Sequence, residues 1–248
     1  MDRSLYVAMS GAKQTMLAQT ANANNLANAQ TTGFKADFEQ FRAMPAFGPG
    51  YPTRVLTMTE RPGTDLSTGS LQTTGRDLDI AIDGKGWIAV KNKEGAEAYT
   101  RAGDLKLTPE GLLQTSTGLP VLSDSGNPIV IPPTRKLAFG GDGTISIIPQ
   151  GGPANTAAIL DRIKLVNPDP KTLEKRGDGL MYAKNATPPA APDPNVKLVQ
   201  GSLESSNVSV MTAMVEMIEL SKHYDLQIKA MKSADDNASA ASGLTKLA

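Results

Sequence analysis

At 248 residues the chain is long enough for one large domain or two modest ones, each with a sizeable buried core. Lys plus Arg and Asp plus Glu both number 25 and aromatic residues make up 4%, so neither a positive field nor a set of stacking platforms favours nucleic acid. The absence of cysteine excludes disulfides, thiol catalysis and cysteine-ligated zinc together.

The N-terminal stretch, residues 1–35, reads as a helix built to meet another helix. Leu5, Met9, Ala12, Met16, Gln19, Ala23 and Leu26 recur at alternating steps of four and three, the spacing of a coiled-coil seam. No Asp, Glu, Lys or Arg stands between Lys13 and Lys35, whereas an ordinary exposed helix carries charge on its solvent face. The run is too polar for a membrane span, which needs about 20 predominantly apolar residues. Its small side chains permit close backbone approach, and the amides of Asn24, Asn25 and Asn28 suit hydrogen bonds that fix register across an interface. Two readings follow: a helix surrounded by other helices on most sides, or a surface helix ending in an Asn-rich turn with Gly33 as its left-handed cap. Asp2 and Arg3, then an apolar stretch broken by Ser10, do not make an ordinary cleavable secretion signal.

Residues 36–75 read as an extended connector. Phe38 and Phe41 are expected to finish a short amphipathic turn, and Pro45, Pro49, Gly50 and Pro52 then rule out continuous helix. From 76 to 205 the pattern becomes short strands between turn signals, the signature of an antiparallel β domain of about eight to ten strands. Leu78, Ile80 and Ile82 alternate, and hairpin turns are expected at Asp83–Gly86, Pro109–Gly111 and Asp142–Gly143. Strands are also expected at Pro120–Leu122 and Ile129–Ile131, and a proline-rich loop at 187–194. A second helix over 206–248 has Ser205, Ser206 or Asn207 as cap. Val210, Met214, Met217, Ser221, Tyr224, Ile228 and Met231 keep the seam rhythm along it, and Met211, Val215 and Ile218 widen its apolar face. Residues 233–248 are weaker helix and are expected to fray.

The inventory holds no catalytic set. His223 is the single histidine and is expected to be a solvated helix residue. Gly84 and Gly86 lack the third glycine of a dinucleotide fingerprint, and alternation places Asp77, Asp79 and Asp83 on a solvated strand face. A carboxylate pair for glycoside hydrolysis is a matter of distance in space and stays open. The methionines at helical spacing are expected to fill core gaps. No cofactor, metal or small-molecule substrate is expected, and the chain reads as a structural subunit rather than an enzyme.

AsnAsnLeuAlaAsn at 24–28 with ThrThrGlyPheLys at 31–35, and LeuGluSerSerAsnVal at 203–208 with GluMetIle at 216–218, resemble the paired terminal motifs of the bacterial flagellar rod and hook family. The likeness continues through ArgAspLeuAspIleAlaIleAspGlyLysGlyTrp at 76–87 and AlaTyrThrArgAlaGlyAspLeu at 98–105, and so covers essentially the whole chain. Thr32 stands where a Pro before GlyPhe is common in that family, which weakens any role for a rigid bend. Short length, the opening MetAspArgSerLeuTyr and Trp87 look most like the proximal-rod branch, with the distal-rod branch as sibling. The resemblance implies an inner tube of terminal helices decorated by the β domain, in a rod that spans the periplasm. It also implies other rod proteins and the flagellar type III export apparatus as partners, export without signal cleavage, and no nucleic acid or membrane insertion.

The fold expected is α+β: N- and C-terminal helices pairing as a coiled-coil-like unit, with an antiparallel all-β domain inserted between them. The assembly residues expected are Leu5, Met9, Met16, Leu26, Met214, Met217, Ile218, Tyr224 and Ile228 for packing. Asn24, Asn25 and Asn28 are expected to set register, Gly33 and Phe34 the exit from the first helix, and Asn207 the entry to the second. The competing reading is a monomeric secreted β-domain module, binding for example a glycan, whose termini form a helical hairpin.

Overall fold

A computed structural model of the chain describes residues 3–45, 55–150, 157–184 and 188–245. It divides into two units, one made of residues 1–29, 36–65 and 208–248 and the other of 30–35 and 66–207.

The first unit holds helices α1 (Arg3–Ala27) and α2 (Val210–Thr245) and a hairpin of β1 (Asp37–Pro45) and β2 (Val55–Thr64). Neither helix contains proline, and the two run antiparallel: Gly11 lies against Gln227, while the Asn22 amide donates to the Ala213 carbonyl at 2.7 Å. The buried face of α1 is made of Ala8, Gly11, Ala12, Ala18 and Asn22, and on α2 Ala213 and Ala234 are buried. Small residues thus hold the seam inside one chain, and close backbone approach replaces the interlocking of large side chains. Ser209 caps α2, its hydroxyl accepting from the Thr212 N–H at 3.4 Å and from the Thr212 hydroxyl at 3.0 Å. The helix therefore starts later than the expected caps at 205–207, because Ser205 and Asn207 give their N–H groups to the Ser70 and Phe34 carbonyls. It continues to Thr245, through the stretch expected to fray.

The stretch expected to be an amphipathic turn at 36–43 is strand instead. β1 pairs antiparallel with β2 in a register that sets Ala43 opposite Thr57 and Met44 opposite Leu56, so cross-strand hydrogen bonds replace those of a turn too short to be stable alone. The hairpin is fastened to α1 by Ser10, whose hydroxyl donates to the Thr57 carbonyl at 3.0 Å. Asn25 fastens it again: its amide donates to the Asp37 carbonyl at 2.8 Å and accepts the Asp37 N–H at 2.9 Å. The expected connector over 36–75 is accordingly a hairpin grouped with the helices, followed by a segment of the second unit from Leu66 onward. Pro49, Gly50 and Pro52 lie outside the described residues.

The second unit holds β3 (Leu71–Thr73), β4 (Ile80–Asp83), β5 (Trp87–Lys91), β6 (Glu97–Thr100), β7 (Leu105–Leu107), β8 (Leu113–Thr115), β9 (Thr134–Phe139) and β10 (Thr144–Pro149). It continues with β11 (Ala158–Arg162), β12 (Leu165–Val166), β13 (Leu173–Lys175), β14 (Met181–Ala183), β15 (Lys197–Gln200) and β16 (Ser202–Glu204). A five-stranded sheet runs β12-β5-β6-β14-β13 and a three-stranded sheet β11-β10-β9, with the pairs β15-β4, β16-β3 and β7-β8 completing the unit. Ile80, Ile88, Val90, Leu105, Leu113, Val121, Ile129, Ile145 and Ile163 form the larger core, and Trp87, Tyr99, Val166 and Met181 belong to a second, smaller one. Of the three expected hairpin turns, those at Pro109–Gly111 and Asp142–Gly143 join β7 to β8 and β9 to β10, with left-handed Gly111 and Gly143 at φ of 83° and 87°. The one at Asp83–Gly86, with Gly84 at φ of 83°, does not close a hairpin, because β4 pairs with β15 and β5 with β6 and β12, so it turns the chain from one sheet to another.

Fourteen strands form among the described residues of this unit where eight to ten were expected. The additional ones include β3 and β16, three residues long and present only through pairing with each other across the chain, and β13, equally short, which forms a local pair with β14. Conversely, the runs expected as strands at Pro120–Leu122 and Ile129–Ile131 make isolated bridges, Val90 with Val121 and Leu112 with Val130 among them. β4 is buried on both faces, Ala81 as fully as Ile80, so simple alternation does not apply to it. Asp79, expected on a solvated face, is buried: Arg76 lies 2.9 Å away and the Thr74 hydroxyl donates to it at 2.7 Å.

Candidate functional site

Within the second unit, residues 30–35, which follow α1, meet residues 201–207, which precede α2. The centre of the junction is Glu204, 1% exposed at the end of β16. One carboxylate oxygen accepts from the Lys35 ammonium at 2.6 Å and from the Gly69 N–H at 2.9 Å; the other accepts from the Arg101 guanidinium at 2.7 Å. Its backbone carbonyl accepts the Gly33 N–H at 2.8 Å.

Two buried cations share this buried anion, and further acceptors complete their hydrogen bonding. Lys35 also donates to the Ser67 carbonyl at 2.6 Å, and Arg101 to the Gly84 carbonyl at 2.7 Å, with its guanidinium 5.4 Å from the centre of the Trp87 ring. Burial of this kind is tolerated because each charge has several hydrogen-bonding partners, and removal of any one strands the others.

Backbone fit is equally close. Gly33 has φ of 67°, and a Cβ there would stand 2.3 Å from the Arg101 carbonyl carbon. The position therefore excludes a side chain on both conformation and space. Gly33 is not the cap of α1, which ends at Ala27; it makes the turn that brings Phe34 and Lys35 to the junction. The Phe34 carbonyl accepts the Asn207 N–H at 3.3 Å, and Lys175 stands 4.0 Å over the Phe34 ring while donating to the Lys35 carbonyl at 2.7 Å. Asn207 also donates its amide to the Ser67 carbonyl at 3.3 Å, so it ties the approach to α2 without capping the helix.

The expected register amides divide their work differently. Asn25 holds the start of β1, Asn28 donates to the Asn24 carbonyl of its own helix at 2.9 Å, and Asn22 makes the bond across to α2. Asn22 was missed because it falls off the seam counted through the larger residues; its position among Ala8, Ala12 and Ala18 on the small-residue face is the signal that finds it. The large seam residues lie elsewhere. Met9, Met16, Met214, Ile218 and Ile228 are exposed, and Leu5, Leu26, Met217 and Tyr224 are half-buried. The expectation that the helical methionines fill the core does not hold within the single chain, since a close two-helix contact leaves no gap for them.

Two tyrosines of the second unit have perturbed acidity. Burial pushes the Tyr99 phenol above its ordinary value, with the Ala190 N–H that donates to its oxygen at 2.8 Å opposing the shift. Burial likewise raises Tyr182, followed by its hydrogen bond to Asp178. The concavity expected of a glycan module has its nearest counterpart in an open depression of about 640 Å³ lined by Leu107, Pro109, Glu110, Val130 and Pro132. No aromatic ring lines it to stack on a sugar.

Three family models match the chain: one described as flagella basal body rod protein over residues 5–35, the flagellar hook protein FlgE/F/G D1 domain over 81–147, and the flagellar basal body rod FlgEFG protein C-terminal region over 199–244. Each matched segment contributes to the junction, Lys35 from the first, Gly84, Trp87 and Arg101 from the second, and Glu204 from the third. Among curated relatives, the flagellar basal-body rod protein FlgF of Escherichia coli is 38% identical over the whole of both chains, and that of Caulobacter vibrioides 35%. The flagellar basal-body rod protein FlgG of Bacillus subtilis is 32% identical, covering 94% of this chain and 96% of its own. With motifs, junction and full-length identity in agreement, the chain belongs to the flagellar basal-body rod protein family.

Proposed function

We propose that this rod subunit takes its place in the proximal rod, assembling with its own copies and with sibling rod proteins through the outer faces of α1 and α2. The supporting observation is where the large apolar residues lie. Small residues occupy the seam between the two helices, so Tyr6, Met9, Met16 and Leu17 on α1 and Met211, Met214, Val215 and Ile218 on α2 face outward, Met16 at 60% and Met211 at 82% exposure. Large apolar side chains clustered on exposed helix faces mark an interaction site. Two different faces that meet head to tail, repeated by a screw rotation, generate an open filament rather than a closed ring. Full-length similarity to proteins named FlgF supports the proximal position, with the distal rod as the alternative. Delivery through the flagellar export apparatus, to a rod that crosses the periplasm, belongs to the same reading.

The test is Leu17→Asp or Ile218→Asp, each at an exposed site where the isolated fold has little to lose. The expected result is a chain with unchanged helix content in dilute solution and cells that lack complete rods and do not swim. Normal motility with either substitution would remove the packing role of these faces.

A further inference from the structure

The outer faces of α1 and α2 carry thioethers in numbers that the fold of one chain does not explain. Met9 is 53% exposed and Met214 52%, beside the more open Met16 and Met211, whereas Met181 in the core of the second unit is 3% exposed. Methionine is ordinarily among the more buried residue types. The chain has no cysteine, so no thiol competes for an oxidant, and the more exposed thioethers among the described residues are these four together with Met44 and Met58 of the hairpin, at 46% and 49% exposure.

We infer that Met9, Met16, Met211 and Met214 are sites of reversible oxidation to methionine sulfoxide in the unassembled subunit, and that this modification controls whether the helices can pack. The inference rests on the assembly reading above. The oxidant class is a peroxide. A lone pair of the thioether sulfur attacks one peroxide oxygen, the O–O bond breaks as the S–O bond forms, and with hydrogen peroxide the other oxygen leaves as water after proton transfer. Sulfur is oxidised by two electrons and the peroxide reduced by two. The product is a strongly polar, chiral group on a formerly flexible apolar side chain. In a packed helix interface the sulfoxide would set a strongly polar oxygen beside apolar neighbours such as Leu17, Val215 and Ile218, where its desolvation weakens packing. Packing in turn covers the sulfurs, so the reaction belongs to the free subunit and assembly protects against it. Methionine sulfoxide reductases reverse the change while the chain is free.

The experiment treats the dilute full-length protein with hydrogen peroxide, maps sulfoxides by peptide mass spectrometry over time, and follows self-association by sedimentation velocity before and after treatment. Met211, Met16, Met9 and Met214 should oxidise well ahead of Met181, and association should weaken by about tenfold or more per buried sulfoxide. Incubation with methionine sulfoxide reductases should restore it. A chain carrying Met→Leu at all four positions should associate equally well before and after peroxide, although Met44 and Met58 remain open to oxidation. Equal oxidation of the four and Met181, or oxidised chains that associate as tightly as untreated ones while Ile218→Asp does not, would overturn the inference and leave the assembly reading standing. Untreated chains that never associate would overturn that reading, and the inference with it.

Discussion

Glu204 carries more of the junction than any other side chain, and its removal has a definite expected cost. Glu204→Gln would leave Lys35 and Arg101 buried without their anion, a change that destabilises by about 3–5 kcal/mol. Urea unfolding of the β unit reads this directly, and an unchanged midpoint would remove the claim that the ion pairs matter. Tyr99 gives a second residue-scale expectation, with a sign. Its folded phenol titrates above the ordinary value of about 10, so between the two the unfolded chain has released a proton that the folded chain keeps. Its contribution to stability is therefore complete below about pH 10 and is lost as the pH rises through the folded value. In Tyr99→Phe, stability should fall less steeply as the pH rises above about 10 than in the unaltered protein; equal slopes would show that this phenol is not the cause. Of these residues, Gly33 was legible in the sequence because a left-handed glycine leaves a motif. Glu204 was legible only as a letter of a motif, since its partners stand 169, 135 and 103 positions away in the chain.

The helices show what periodicity can and cannot deliver. Two helical ends were legible from spacing alone, and they do pair, but the seam was assigned to the larger residues when the smaller ones make it. A heptad count ranks hydrophobicity; close helix packing ranks volume, and Ala8, Gly11, Ala12 and Ala18 win on the second criterion. Gly11 tests this. The nearest atoms a Cβ there would meet are the flexible end of Gln227, at 2.9 Å, so Gly11→Ala should be mild, while Gly11→Leu should part the helices. Loss of helical circular dichroism or of amide protection in α1 and α2 would register the difference, and equal behaviour of the two variants would contradict the close contact. The β1–β2 hairpin was hidden for another reason. Its prolines and glycines signal a break in helix, but the pairing of Asp37–Pro45 with Val55–Thr64 arises from register between two segments, which no local pattern announces.

At the scale of the whole chain, the β unit has an extensive apolar core and the helical unit a thin seam of alanines, so their local stabilities differ. Hydrogen exchange on dilute protein should find β5, β6 and β10 protected and α1 and α2 exchanging markedly faster. Strong, equal protection of both helices in a confirmed monomer would mean that the ends need no neighbours. The division into terminal helices and a central β region was legible because hydrophobic period and turn chemistry change together at its edges. The assignment of residues 30–35 to the β unit was not, because Lys35 belongs there through Glu204. That bond also has a consequence in time. A chain that emerges N-terminus first presents Gly33 and Lys35 early, yet their acceptor arrives 169 residues behind Lys35. Until then the emerging half lacks the carboxylate and the carbonyl that Lys35 and Gly33 meet in the folded chain. The junction is thus a closing step, and the second helix is tethered to a finished β unit only once nearly the whole polypeptide is out.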